Sequence, residues 1–257
     1  MYQNLKLECA GRLARLTLNR PERRNAFSAE LMREMIAAAG ELAARRDVDA
    51  VIVTGSGGVF SAGADLKDTT RWAGGAPLLE QRETASLGGR MARAWEELPQ
   101  VTIAAIEGYA IGGGLALSAA LDWRLIARDA FVSLPEISLG IPLTWGTLPR
   151  LVNLVGPARA KRLAILCERV TAADAFAMGL VDEVCEPGSV LAAAEKMAGK
   201  ALDKPKHSVM MTKETVNAYA SIGAHAVSHM APDQLELAAA SPESRAARDA
   251  ALKRRKR

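Results

Sequence analysis

Two uninterrupted apolar runs, AVIVTG at 50–55 and VTIAAIEG at 101–108, each lead into a segment of small residues. A run rich in β-branched residues, without polar alternation, reads as a strand covered on both faces. The segments that follow contain Ser61-Ala62-Gly63-Ala64-Asp65 and Ile111-Gly112-Gly113-Gly114, with few bulky side chains. A backbone so bare can be approached closely, and N–H groups at a turn into a helix lack intrahelical partners. The helix dipole adds partial positive charge there. One GGG alone reads best as a tight turn. Two junctions, each after a buried strand, predict N–H groups that converge on one oxygen, an oxyanion hole.

The rest of the chain supports a β-and-α core followed by helices. Leu5, Leu7 and Cys9, then Leu16 and Leu18, alternate around Gly11 and predict a β-hairpin. Ser28 starts a helix that spaces Leu31, Met32, Met35, Ile36 and Ala39 along one face. Residues 66–97 read as polar helix, interrupted at Gly74-Gly75-Ala76-Pro77 and at Gly88-Gly89. WRLIA (123–127) and FVSLPEI (131–137) read as further strands, and helices dominate from Pro149 onward. Pro187, Pro205, Pro232 and Pro242 mark breaks among the last of them.

Composition narrows the function classes. The net charge of +4 rests on the last five residues, Lys253 to Arg257, so the body of the chain is within one charge of neutral. A basic tail on a neutral body is weak support for a nucleic-acid binder. Cys9, Cys167 and Cys185 are too few and scattered for a disulfide framework, so a reducing, cytoplasmic setting is expected. The N-terminal charges leave no room for a signal-peptide core, and the uncharged stretch 108–121 is short of the roughly 20 residues that span a bilayer. GSGGVFSAG lacks the Gly-Lys-Ser/Thr ending of a phosphate loop, and no GxSxG elbow is present. His225, His229 and Asp233 share helical spacing without the glutamate of a HExxH site, so no metal is expected.

The segments RPERRNAFS (20–28), TGSGGVFSAGADLK (54–67), IAAIEGYAIGGGLALSAALDWRLIA (103–127) and LPEISLGIPLTWGTLPRLVNLVGPARAKRLAI (134–165) resemble the crotonase, or enoyl-CoA hydratase/isomerase, superfamily. TAADAFAMGLVDEV (171–184) and the basic end continue the resemblance. It implies an α/β (α+β) fold, a crotonase-like spiral of ββα units over 1–190. A C-terminal α-helical region over 191–257 would mediate trimerisation, with trimers pairing into hexamers. It implies an acyl-coenzyme A thioester as substrate, with no separate cofactor, no nucleic acid and no membrane partner. By the same resemblance Ala64 and Gly113 supply the oxyanion-hole N–H groups, and Glu136 stands where many members keep a catalytic glutamate. Arg23, Arg24 and Ala26 lie where members contact coenzyme A, Ala62, Asp65 and Leu66 where the backbone meets its adenine, and Arg254 where a lysine is common. Ala251 replaces a usual phenylalanine.

One departure shapes the expected reaction. Typical hydratases carry a second glutamate where this chain has Ala116. Adding water across C=C is easier with two carboxylates to hold it, whereas one carboxylate suffices to shift a double bond. Glu136 with Ala116 therefore favours Δ3,Δ2-enoyl-CoA isomerisation over hydration of a 2-enoyl-CoA. Another reaction through the same oxyanion hole, and a non-catalytic acyl-CoA-binding protein, are the further alternatives. Dienoyl isomerases and dehalogenases of the family place an aspartate where Thr144 stands. Asp68, Glu80 and Glu83 read as a solvated helix face, and Trp72 and Trp145 either line the acyl channel or simply pack.

Overall fold

The computed structural model describes residues 2–68, 70 and 77–254. Trp72, the side chains of His225 and Arg254, and residues 255–257 lie outside the described residues. The predicted hairpin is β1 (Leu5–Ala10) and β2 (Leu13–Leu18), paired antiparallel. It opens a six-stranded sheet in which β3 (Ala50–Gly55), β4 (Val101–Ile106), β6 (Trp123–Ala127) and β9 (Glu183–Cys185) follow β2 in parallel. Every residue of β4 is buried, as its unbroken apolar run requires of a central parallel strand. A smaller sheet holds β5 (Tyr109–Ile111), β7 (Phe131–Ser133) and β8 (Arg169–Thr171).

Helix α1 (Ala29–Ala44) begins where expected: the Ser28 hydroxyl accepts the Leu31 N–H at 3.2 Å. Leu31, Met32, Met35, Ala38 and Leu42 form its buried face. Against it packs α2 (Leu78–Glu96), where the Trp95 indole N–H donates to the Met35 carbonyl at 3.1 Å. This helix corrects one expectation, since it runs through Gly88-Gly89 without a break. A Cβ on Gly88 would lie 2.0 Å from the Trp145 ring, so the bare helix surface there admits an aromatic side chain.

Three further expectations need correction. The strand at 131–137 ends at Ser133, because Pro135 offers no N–H and Glu136 starts a 3-10 turn over Ile137–Leu139. The region after Pro149 holds strands β8 and β9, three residues each and too short to show a period. Strand β5 precedes the helix α3 (Gly113–Ser118), which is only six residues long. A helix this short carries little macrodipole, so the individual N–H groups at its start matter more than its field.

Helix α4 (Thr147–Leu166) is kinked at Gly156-Pro157, and α5 (Ala172–Ala177) leads towards β9. Helix α6 (Val190–Leu202) lays Val190, Ala194 and Ala198 into the core beside β3, β4 and β6. Then come α7 (Lys206–Ala220), α8 (Ala224–Ser228), α9 (Ala231–Ala240) and α10 (Pro242–Arg254), with Pro205, Pro232 and Pro242 at the predicted starts. Helices α9 and α10 fold back over the centre of the chain. Asp233 pairs with Arg82 of α2 at 2.9 Å, and α10 packs on the 3-10 turn after Glu136. The closeness of that last contact explains Gly140, where a Cβ would meet the Ser244 Cα at 2.5 Å.

Behind α3, the buried Arg124 guanidinium donates to the carbonyls of Ser118, Leu121, Asp122 and Leu180 and pairs with Asp182. It thereby ties the end of α3 to the main sheet. Among the described residues, no helix is long and apolar enough to cross a membrane. Among the same residues, no group of three or more His, Cys, Asp or Glu is placed to hold a metal ion.

Candidate active site

Both glycine-rich junctions open onto one cavity of about 50 Å3. Its lining includes Ala62, Ala64 and Leu66 from the loop after β3, Gly113 and Ala116 from α3, and Glu136. Five of the residues singled out in the sequence thus meet here: Ala62, Ala64, Leu66, Gly113 and Glu136. The two loops touch. A Cβ on Gly63 would lie 2.6 Å from the Ile111 carbonyl oxygen and 3.2 Å from the Gly113 nitrogen.

The backbone N–H groups of Ala64 and Gly113 have no acceptor among the described residues. The local pairing explains the first. In the bridge between Phe27 and Ala64, Phe27 donates to the Gly63 carbonyl and Asp65 donates to Phe27, leaving the Ala64 N–H unused. For Gly113, the start of α3 leaves its N–H without an intrahelical acceptor.

Glu136 stands at the start of the 3-10 turn, where its carbonyl accepts the N–H groups of Leu139 and Ile141. Its carboxyl group packs against Gly112. That residue holds φ +53 and ψ −115, and a Cβ there would lie 2.3 Å from Glu136 Oε1. The first glycine of the GGG is therefore the seat of the carboxylate. Oε2 is buried without a hydrogen-bond partner. Burial pushes the carboxyl pKa up to about 7, against a smaller opposing effect of its backbone hydrogen bond. A carboxyl group of this kind is close to half ionised near neutrality and can both take and return a proton.

Ala116 is buried on the cavity wall and offers no second carboxylate. The apolar side of the cavity includes Leu66, Leu139 and Ile141, which also pack with Ala85 and Leu235 of α9.

Of the predicted coenzyme A contacts, Arg23, Arg24, Ala26 and Asp65 lie outside the cavity lining. Asp65 turns its carboxylate to Arg20 at 3.2 Å and accepts the Lys67 N–H at 3.0 Å. Arg20 also donates to the Ala26 carbonyl, so Ala26 and Asp65 share one guanidinium. Arg23 and Arg24 are exposed and their side chains have no ion pair among the described residues. Arg24 contributes its backbone, whose carbonyl accepts the Ala62 N–H at 2.9 Å. The backbone placement of α10 includes Arg254, whose side chain lies outside the described residues.

Two supports of the site, Arg20 and Asn25, were missed in the sequence, and a third, Trp145, was named there as a channel or packing residue. Arg20 staples the 20–28 segment to the loop after β3. Asn25, fully buried, donates to the carbonyls of Ser56 and Val59 and accepts from Arg20 N–H. Trp145 fills the space between Gly88 and Gly113. Asn25 alone carried a local signal, because a polar residue between arginines and Ala-Phe, beside a β-strand, invites a loop-closing role.

The family model described as Enoyl-CoA hydratase/isomerase matches residues 8–256. The chain belongs to the enoyl-CoA hydratase/isomerase family. Among relatives, a crotonyl-CoA hydratase of Syntrophomonas wolfei is 36% identical, covering 84% of this chain and 82% of its own. A short-chain-enoyl-CoA hydratase of Clostridium acetobutylicum is 34% identical, covering 83% and 81%. An enoyl-CoA hydratase/isomerase structure from Xanthobacter autotrophicus superposes with a TM-score of 0.87 at 31% identity, over 96% of this chain and 91% of that one. The enoyl-CoA hydratase/isomerase fold is thus present along nearly the whole chain, and the resemblance stated from the motifs holds. The names of these two relatives do not favour the expected isomerase over a hydratase.

Proposed function

We propose that this enzyme handles an enoyl-CoA thioester, with the N–H groups of Ala64 and Gly113 receiving the thioester oxygen and Glu136 moving the proton. The observation that carries this reading is the buried, unpartnered Oε2 of Glu136 in the same cavity as two N–H groups without acceptors. An enolate oxygen satisfies both donors, and each such donor is worth about 3 kcal/mol in the transition state.

Hydration of a 2-enoyl-CoA is the reading that the relatives' names favour. Water then adds its oxygen to C3 and gives its proton to Glu136, while charge moves to the thioester oxygen. Glu136 hands the proton to C2 as the enolate collapses. Isomerisation is the second reading, and Ala116 supports it. In that case Glu136 takes a proton from C2 of a 3-enoyl-CoA and returns it to C4.

Initial rates on 2-enoyl-CoA and 3-enoyl-CoA, supplied separately to purified protein, distinguish the two. Faster hydration is expected. Faster isomerisation would put the Ala116 argument first, and turnover of neither would remove enoyl-CoA as substrate. The exposed Met211, Val216, Tyr219 and Ile222 around α7 support the self-association that the resemblance implies.

A further inference from the structure

We propose that Trp145 is a partition that sets acyl chain length, by closing the catalytic cavity off from a second, larger cavity behind it. The inference rests on the enoyl-CoA reading above and adds the substrate class, short acyl chains. The second cavity measures about 330 Å3, against about 50 Å3 for the catalytic one. Among the described residues, only Thr144 and Trp145 line both.

The position of the indole follows from two glycines. A Cβ on Gly113 would lie 2.4 Å from Cζ3, and one on Gly88 would lie 2.0 Å from Nε1 and Cε2. The benzene edge thus abuts the α3 junction and the pyrrole edge abuts α2, so the ring bridges the interval between them. Phe27 meets it edge-on, with centroids 5.6 Å apart and planes at 83°. The Trp145 carbonyl accepts from Arg150 at 2.8 Å, and Arg150 is held in turn by both Glu96 oxygens at 2.8 and 2.6 Å. Ring and backbone are fixed from separate sides.

The larger cavity suits hydrocarbon. Ala85, Gly89, Pro149, Ala220, Ala224 and Ala231 contribute to its wall. Arg93 pairs with Glu97 and Arg150 with Glu96 within the wall, which Arg90, Ser86, Asn153 and Ser228 also join. With the indole in place, an acyl tail from the thioester has the small cavity only. With it removed, the tail reaches apolar space already present.

The test is turnover of crotonyl-, hexenoyl-, octenoyl- and decenoyl-CoA by wild type, Trp145→Phe and Trp145→Ala. In wild type, kcat/KM should be highest for crotonyl-CoA. Trp145→Ala should shift the optimum to the longer chains, with at least a tenfold gain on decenoyl-CoA, since each methylene seated in apolar space is worth roughly fourfold. Trp145→Phe keeps a ring and should give a smaller shift, which preserves the test if the alanine variant does not fold.

Gly89 faces the second cavity with nothing but the Thr144 carbonyl within 4 Å of an added Cβ. Gly89→Leu should cancel the long-chain gain in the Trp145 variants, while alone it leaves crotonyl-CoA turnover unchanged. Unshifted chain-length profiles in a folded variant, or a wild type that already prefers decenoyl-CoA, would overturn the partition. Calorimetric binding of saturated decanoyl-CoA separates this failure from that of the enoyl-CoA reading. Tighter binding to the Trp145 variants without turnover by any protein leaves the partition standing and the reaction wrong.

Discussion

Glu136→Gln should lower kcat roughly 10²- to 10⁴-fold, the range for loss of a positioned acid/base, and should also make the folded protein more stable. The two effects share a cause. Burial raises the Glu136 pKa from 4.5 to about 7, so the fold favours the neutral carboxyl group. Below pH 4.5 the group is protonated in both folded and unfolded chains and carries no electrostatic penalty. As pH rises towards 7 the unfolded chain ionises freely while the folded one resists, and folding stability falls; above about 7 the penalty is constant. Glutamine does not titrate. Its advantage over glutamate should therefore be absent near pH 4.5 and reach roughly 1–3 kcal/mol above pH 7, reduced by whatever its own buried amide leaves unpaired. Thermal denaturation of both proteins across this window checks the stability half. Turnover checks the other half, and wild-type kcat/KM should rise through about pH 7 as the base ionises.

Gly112→Ala is expected to be nearly as damaging to activity by a different route. The new methyl group would lie 2.3 Å from Glu136 Oε1 and 3.2 Å from Cδ, so the carboxyl group must leave its seat. The backbone at φ +53 and ψ −115 resists alanine as well, which costs roughly 1–3 kcal/mol of stability. A fall in kcat of about 10²-fold should accompany that loss, because a misplaced proton donor is a poor one even when it ionises normally. Gly40→Ala is the control. This exposed position inside α1 has open space around an added Cβ, and alanine there should stabilise by roughly 0.5–1 kcal/mol without touching turnover. Thermal denaturation and steady-state kinetics of both variants separate the site effect from a general intolerance of substitution.

Legibility in the sequence followed the range of the interactions involved. The strands β3 and β4 and the junctions after them announce themselves through contiguous residues. Glu136 was legible through its motif, and the Ser28 cap through position alone. What escaped depends on partners far along the chain. Gly88 reads as a helix breaker until Trp145, 57 positions away, is seen to occupy the space its missing side chain leaves. Arg20 looks like one more loop cation until Asp65 and Ala26 close around it. Asp65 was expected to meet the adenine through its backbone, and its side chain turns inward to that arginine. Strands β8 and β9 have three residues each, and their identity comes from the β7 and β6 edges they join rather than from their own pattern.

The dispute between hydration and isomerisation is likewise a matter of one position. Ala116 lies on the cavity wall, where its small side chain offers no carboxylate.

Both reactions require Glu136 to exchange a proton with substrate carbon. Mass spectrometry of 2-enoyl-CoA and 3-enoyl-CoA incubated in D2O with wild type and Glu136→Gln reads that step directly. The expected result is carbon-bound deuterium in the acyl group with wild-type protein, reduced at least roughly 10²-fold in rate with the variant. Equal incorporation by the two proteins, or no conversion of either thioester by wild type, would contradict Glu136 as the group that moves the proton.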